Sequence, residues 1–430
     1  MISDSVREAR RLLRPLEEDL IRLLQLLVQA NTVSFPSLGG EHPGQQILSE
    51  FLLQHGLVPE LYAVNFLERS DHRYARRDRN YARRENLQVA IAGSGRGKSL
   101  LTNGHIDTVP AHASSWTDDP WSGKISDGRL YGLGSFDMKG GLVAQFAVAC
   151  ALQKSGVRLG GDLVCESVVD EEWGGGGGTL AARLRNPAAD ACVISEGTQL
   201  AIYRASRGGA VIDLSFQAGD AEHYFSAGQV ISPALELGRL LRWVETWVQH
   251  RAGVTARGAY VEFADPTPLQ VLAVESNRLT TDVPLSVPEH AAIRLYFQFL
   301  PDEGVEAILA EVRHSLDQFA EEDPFFRNHP IAWTPFYDPP LLGHELSEIH
   351  PWTTCLSQAA TACLGSSPPV TAAPYPCDAF LLQREFQIPT LLFGPRGAGA
   401  HNRDEYVEIG SVIQTAETIL AAALEWCGGS

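Results

Sequence analysis

Two histidines and three acidic residues stand out in this chain because of the short motifs that carry them. His105 lies in Asn-Gly-His-Ile-Asp-Thr, Asp137 in Phe-Asp-Met-Lys-Gly-Gly, Glu172 in Asp-Glu-Glu-Trp-Gly, Glu196 in Ile-Ser-Glu-Gly-Thr and His401 in Gly-Ala-His-Asn-Arg-Asp-Glu. Two imidazoles with three carboxylates suit a pair of zinc or cobalt ions, one carboxylate bridging and each metal keeping a terminal His and a terminal carboxylate. The nitrogen donors argue against an all-oxygen magnesium or calcium cage, and the scattered cysteines do not supply a closed structural zinc site. Asp107 follows His105 by two residues on the same face of an extended chain. There it can accept the imidazole's other N–H, or serve as an ordinary turn aspartate. Arg207, just before Gly208, can hold a substrate carboxylate in a bidentate contact or sit as a surface arginine at a domain hinge.

Such residues act together only if a scaffold gathers them. Leu12, Leu13, Leu16, Leu20, Leu23, Leu24 and Leu27 recur at helical spacing, and 45–55 reads as a helix closed by Gly56. Beyond them, short β-type runs at 87–92, 99–103, 162–169 and 191–195 alternate with a long helix over 139–154 and another from Thr179. That alternation predicts an α/β domain with a largely parallel central sheet. Three of the runs lead into His105, into Glu171 and Glu172, and into Glu196. Sites in open α/β sheets lie at the carboxyl ends of strands, so these ends should converge. From Val211 the texture changes to alternating apolar and polar residues, a leucine-rich helix after 233, strands near Tyr260 and over 293–299, and a helix from Glu303. This β-α-β-β-α stretch exceeds the roughly 50 residues an independent domain needs. It reads as an inserted α+β domain at 207–314, with 1–206 and 315–430 forming a discontinuous catalytic α/β domain.

Joint occurrence gives the motifs their specificity. Gly104-His105-Ile106-Asp107-Thr108-Val109-Pro110, Tyr131-Gly132-Leu133-Gly134 leading to Asp137-Met138-Lys139-Gly140-Gly141, Asp170-Glu171-Glu172, and Gly394-Pro395 followed by Ala400-His401 appear in that order. In this the chain resembles the metallopeptidase family that contains acetylornithine deacetylase, succinyl-diaminopimelate desuccinylase, aminoacylase and glutamate carboxypeptidase. The resemblance implies a zinc-peptidase-like catalytic domain with a mixed, largely parallel sheet, and an insert acting as lid and dimerisation domain. It implies that Asp137 bridges two divalent metals, that His105 and Glu196 complete one site, and that Glu172 and His401 complete the other. Glu171 becomes the general base, since a carboxylate beside a water polarised by two cations can take its proton and pass it to the leaving amine. His223, in Ala-Glu-His-Tyr, is implied to donate to the developing oxyanion from the neighbouring subunit of a homodimer joined through the lid.

The chain departs from many relatives at Leu285-Ser286-Val287-Pro288, Phe297-Gln298-Phe299 and Cys377-Asp378-Ala379-Phe380, which replaces two contacts to a substrate carboxylate and alters the acyl-amine preference to be expected. The expected activity is removal of a short acyl group from a small N-acylated amine or amino acid. Dipeptidase or carboxypeptidase use of the same metals is the alternative, and a noncatalytic metal-binding relative is a third reading.

Charge balance points to the same class of partner. Lys and Arg number 34 against 52 Asp and Glu, a net of -18 that disfavours nucleic acid. The arginine-rich stretch at 73–84 reads as a solvated loop. No apolar run reaches the roughly 18 residues that span a bilayer, so no membrane is expected as partner. Residues 1–14 lack the apolar stretch of a secretory signal, which predicts a cytoplasmic protein. Seven cysteines without CxxC spacing, most in apolar surroundings, read as buried free thiols. The glycine run 174–178 reads as a turn into the helix at Thr179.

Overall fold

The N-terminal leucines build two helices, because Pro15 cannot continue the first: its ring would clash with the preceding turn. Ile2–Leu13 and Glu17–Gln29 therefore flank a single 3-10 turn, Arg14–Leu16. The computed structural model describes residues 2–35, 37–111, 116–218, 222–223, 231–276 and 286–428, with 222–223 and 286–287 described in backbone only. The chain divides into two compact units. The first comprises 1–205, 345–373 and 377–430, and the second comprises 206–344 with 374–376.

The first unit is built on a mixed sheet. Through its centre the strand order runs Ile202–Ser206, Thr390–Leu392, Cys192–Ile194, Leu100–His105, Leu163–Val168, Glu85–Ile91, Glu60–Ala63. The four strands from Thr390–Leu392 to Leu163–Val168 are mutually parallel, and Ile202–Ser206, Glu85–Ile91 and Glu60–Ala63 are antiparallel to their neighbours. The parallel character thus belongs to the centre, where strands are covered on both faces and read as apolar runs. Gly140–Ser155, buried continuously from Gly140 to Leu152, is the central helix, and Ile409–Trp426 packs along it. A left-handed Gly156 (φ 70°) ends the central helix, as Gly56 (φ 78°) follows His42–Gln54. All seven cysteines are free, and all but Cys355 are buried.

The second unit is α+β: an antiparallel sheet in the order Leu269–Glu275, His290–Phe299, Gly208–Gln217, Ala332–Pro335, accompanied by helices Pro233–Ala252 and Val305–Glu322. Its return boundary lies at 345, not at the expected 315. The strand Ala332–Pro335 pairs with Ile212 to Ser215 and so belongs to this sheet. The strand expected near Tyr260 is instead a 3-10 turn, Gly258–Tyr260, with the strand following at Leu269–Glu275. Among the described residues, no helix is long and apolar enough to cross a membrane.

An ion pair is buried in the interior of the second unit. Arg251, 3% exposed, donates from Nη1 and Nη2 to the two carboxylate oxygens of Glu303, each at 2.9 Å, and from Nη2 to the Gln298 carbonyl at 3.1 Å. Removing one partner of a buried pair leaves an uncompensated charge and costs about 3–5 kcal/mol. Arg251→Ala should lower stability by that order in urea denaturation; a midpoint equal to the parent protein's would mean that the pair is not a structural requirement.

Candidate metal centre

The strand Leu100–His105, buried along its whole length, lies parallel between Leu163–Val168 and Cys192–Ile194. Their carboxyl ends therefore deliver His105, the Glu171-Glu172 turn and Glu196 to one place. Asp137 enters from the turn before the central helix, through a cis Asp137-Met138 peptide, and His401 enters from the loop after Gly397–Ala398. His105 Nε2 lies 3.2 Å from Asp137 Oδ1 and 3.5 Å from Glu196 Oε1. His401 Nε2 lies 3.1 Å from Asp137 Oδ2 and 2.9 Å from Glu172 Oε2. The Asp137 carboxylate thus stands between two half-sites, each with one imidazole and one further carboxylate. Donor atoms of His105, Asp137 and Glu172 all fall within 4.8 Å of one another, a spacing and donor set that fit borderline divalent ions. The half-sites differ in access: the His105 side chain is 1% exposed and that of His401 51%.

Asp137 is held by a residue that the motifs did not single out. Glu405, fully buried, accepts from Gly134 N at 2.8 Å, Phe136 N at 2.8 Å and Asp137 N at 3.0 Å. Burial, aided by the charge of Asp137, pushes its carboxyl up to about 8, against the three backbone donors. Because Glu405 follows His401 by four residues, one short segment both supplies an imidazole and fixes the carboxylate opposite it. Lys139 anchors the same turn from behind, its Nζ donating to Leu27 O at 2.8 Å and Ala30 O at 3.3 Å. Burial brings its pKa down to about 7. At Asp137, burial favours the neutral form, yet hydrogen bonds from His105 and His401 hold the carboxyl well below its ordinary range.

Asp107 plays a part other than the one its spacing suggests. The His105 Nδ1 bonds to the backbone carbonyl of Asp107 at 2.9 Å, while the carboxylate, at 3.6 Å, is beyond hydrogen-bond range. Its oxygens instead accept from Glu171 N and Glu172 N, each at 3.3 Å. One residue therefore orients the imidazole and grips the neighbouring turn. Glu171 itself has no hydrogen-bond or ion-pair partner for its carboxylate among the described residues. Burial pushes its pKa well above the usual range, with the nearby His105 opposing.

Two expectations about arginines are corrected. Arg207 is only 4% exposed and its guanidinium is committed inside the second unit. Nη1 donates to Gln298 Oε1 at 2.6 Å and Pro374 O at 3.2 Å, Nη2 donates to Asp265 O at 2.7 Å, and the Tyr260 and Phe263 rings flank it. So engaged, it is neither an open carboxylate ligand nor a surface hinge residue. The stretch 73–84 is not a solvated loop throughout: Arg79 and Arg84 are 5% and 0% exposed. The backbone of His223 pairs with Ser286, and its side chain lies outside the described residues.

Comparison with known proteins places this geometry among relatives. The sequence model described as Peptidase family M20/M25/M40 matches residues 101–425. The chain is 25% identical over 434 residues to the N-formyl-4-amino-5-aminomethyl-2-methylpyrimidine deformylase of Halalkalibacterium halodurans, covering 96% of this chain and 95% of that one. It is 27% identical over 333 residues to the succinyl-diaminopimelate desuccinylase of Methylobacterium radiotolerans, covering 75% and 79%. Among solved structures, the dipeptidase Dug1p of Saccharomyces cerevisiae has the same fold, with a TM-score of 0.78 at 16% identity over 99% of each chain.

Glu405 offers a test of the centre that needs no substrate. Partners that orient a metal ligand contribute about 10–100-fold to affinity. Glu405→Ala should weaken zinc binding by that order in competition with a chelating indicator; unchanged affinity would show that Asp137 holds its position without it.

Proposed function

The chain belongs to peptidase family M20/M25/M40, and from that premise we propose that it removes a short acyl group from a small N-acylated amine or amino acid by metal-dependent hydrolysis. It is a hydrolase of amide bonds. The observation that carries the acyl-group reading is the Asp137 carboxylate shared between two imidazoles, each paired with a second carboxylate, in a chain whose relatives above are named as a deformylase and a desuccinylase.

In this reading Asp137 would be shared by two divalent ions, with His105 and Glu196 holding one and Glu172 and His401 holding the other. Zinc suits the donors best, and cobalt is the substitute to try. Bound there, the ions would polarise the amide carbonyl and lower the pKa of a water toward about 7. The chain's own residues do the rest. Glu171, adjacent to Glu172 and without a carboxylate partner among the described residues, accepts the proton of the attacking water and returns it to the nitrogen of the leaving amine. Asp107 holds both glutamates by their backbone and His105 by its ring, so base and ligands keep fixed relative positions. His223 is the proposed donor to the oxyanion. The dipeptidase alternative rests on a likeness of fold at low identity, which supports it less.

A homodimer through the second unit belongs to the same proposal. The strand Leu269–Glu275 is an edge of its sheet, and Val271, Leu272 and Val274 are exposed on it. An exposed apolar edge strand is a template for pairing with a second copy.

Two outcomes test the proposal. Exhaustive chelation should abolish hydrolysis of N-formyl, N-acetyl and N-succinyl amines, zinc or cobalt should restore it, and Glu171→Gln should retain metal while losing about 10²-fold or more in kcat. A chelator-insensitive rate, or a fully active Glu171→Gln, would remove the metal or the base from the scheme, and turnover confined to dipeptides would favour the alternative. Val274→Lys should convert a dimer to a monomer in light scattering; a dimer that persists would place the interface elsewhere.

A further inference from the structure

The arginine-rich segment reaches the turn that carries Glu171 and Glu172, and two of its buried members, Tyr81 and Arg84, meet at Asp170. Arg84 donates to Glu41 through Nε at 3.0 Å and again through Nη2, and to Ser34 Oγ at 2.9 Å, while its Nη1 pairs with Asp170 Oδ1 at 3.1 Å. Tyr81, fully buried, donates its hydroxyl to Asp170 Oδ2 at 3.3 Å, and Gly177 N donates to the same oxygen at 3.2 Å. Any side chain at Gly177 would collide with both, since its Cβ would stand 2.6 Å from the Tyr81 ring and 2.8 Å from Asp170 Oδ2. Arg79 Nη2 donates to the carbonyl of Trp173 at 2.8 Å.

Asp170 takes a left-handed backbone conformation, φ 67°, one residue before Glu171. That conformation is strained for a residue with a Cβ, and surrounding contacts must hold it. Residues 170 and 173 are thus fixed by the segment 79–84, while 171 and 172 are fixed by Asp107. Stability alone does not require charges here, because well-packed apolar groups of equal volume serve as well or better. What a pair of fixed charges adds is direction.

We propose that Asp170 and Arg84 are positioning residues for the reaction: they lock the turn so that Glu171 faces the substrate while Glu172 faces the metal. The proposal rests on the roles assigned to Glu171 and Glu172 above. Displacing a reacting group by about 1 Å can cost 10²-fold in rate, so a loosened turn shows in kcat.

The experiment uses the full chain at saturating zinc, with the parent protein and Glu171→Gln beside it. Asp170→Asn keeps the shape and removes the charge. Folded, it should bind zinc about tenfold more weakly in competition with a chelating indicator, because Glu172 lies on the same turn, and at saturating zinc it should lose about 30-fold in kcat with KM within about twofold. Parent-like kcat, or a loss carried wholly in KM, overturns the proposal. If Asp170→Asn does not fold, Tyr81→Phe decides, because it deletes one hydroxyl and keeps the ring. A kcat lower by about threefold with an unchanged melting temperature supports positioning, and an unchanged kcat overturns it. An active Glu171→Gln would bring down the proposed function and this proposal with it, whereas an inactive Glu171→Gln beside a parent-like Asp170→Asn would bring down this proposal alone.

Discussion

A surplus of negative charge in a confined space is the constraint around which the first unit is organised. Asp137, Glu171, Glu172 and Glu196 converge where, among the described residues, two imidazoles answer them, and Asp378 stands nearby, 3% exposed and pushed by burial up to about 7. Carboxylates in a poorly solvated site repel one another strongly, so a chain left alone relieves them by taking up protons. Divalent cations relieve the same repulsion without protons, which is why this cluster fits metal chemistry better than a structural role. The hydrogen bonds of the surrounding framework keep these groups together: Glu405 beneath Asp137, the Asp107 carbonyl behind His105, the Asp107 carboxylate under the glutamate turn.

Much of this was legible in the residues themselves. Strands of the parallel centre are covered on both faces and open on apolar residues, so they appear as short hydrophobic runs, and the residues just past the end of each run must lie at the sheet's carboxyl edge. That logic located His105, Glu172 and Glu196 without a structure. Asp137 and His401 were legible as motifs in the right order. Glu405 was not, because its work is done on backbone N–H groups far away in sequence, and Asp404 beside it looks equally suitable.

Long-range burial also explains the remaining differences. An arginine stretch has the same composition whether it is solvated or threaded inward, and only the acids that receive it, Glu41 and Asp170, decide which occurs; neither carries a local signal pointing to Arg84. Arg207 looked open because it stands at the start of the inserted domain, yet two backbone carbonyls and Gln298 enclose it. The return boundary moved to 345 because a strand can be assigned to a sheet only when its partner is known, and Ala332–Pro335 reads much like the segments on either side.

The order of strands has a consequence for how such a molecule comes into being. Thr390–Leu392 lies between Cys192–Ile194 and Ile202–Ser206, so an interior sheet position stays vacant until nearly the whole chain exists. At about 5–20 residues per second of synthesis, that interval is on the order of ten seconds or more. During it the parallel centre has an open edge, a surface prone to mispairing. The antiparallel second unit, its four strands complete by Pro335, can close in the meantime. The inserted unit can thus close early, whereas the two imidazoles of the candidate centre meet only when the last segment docks.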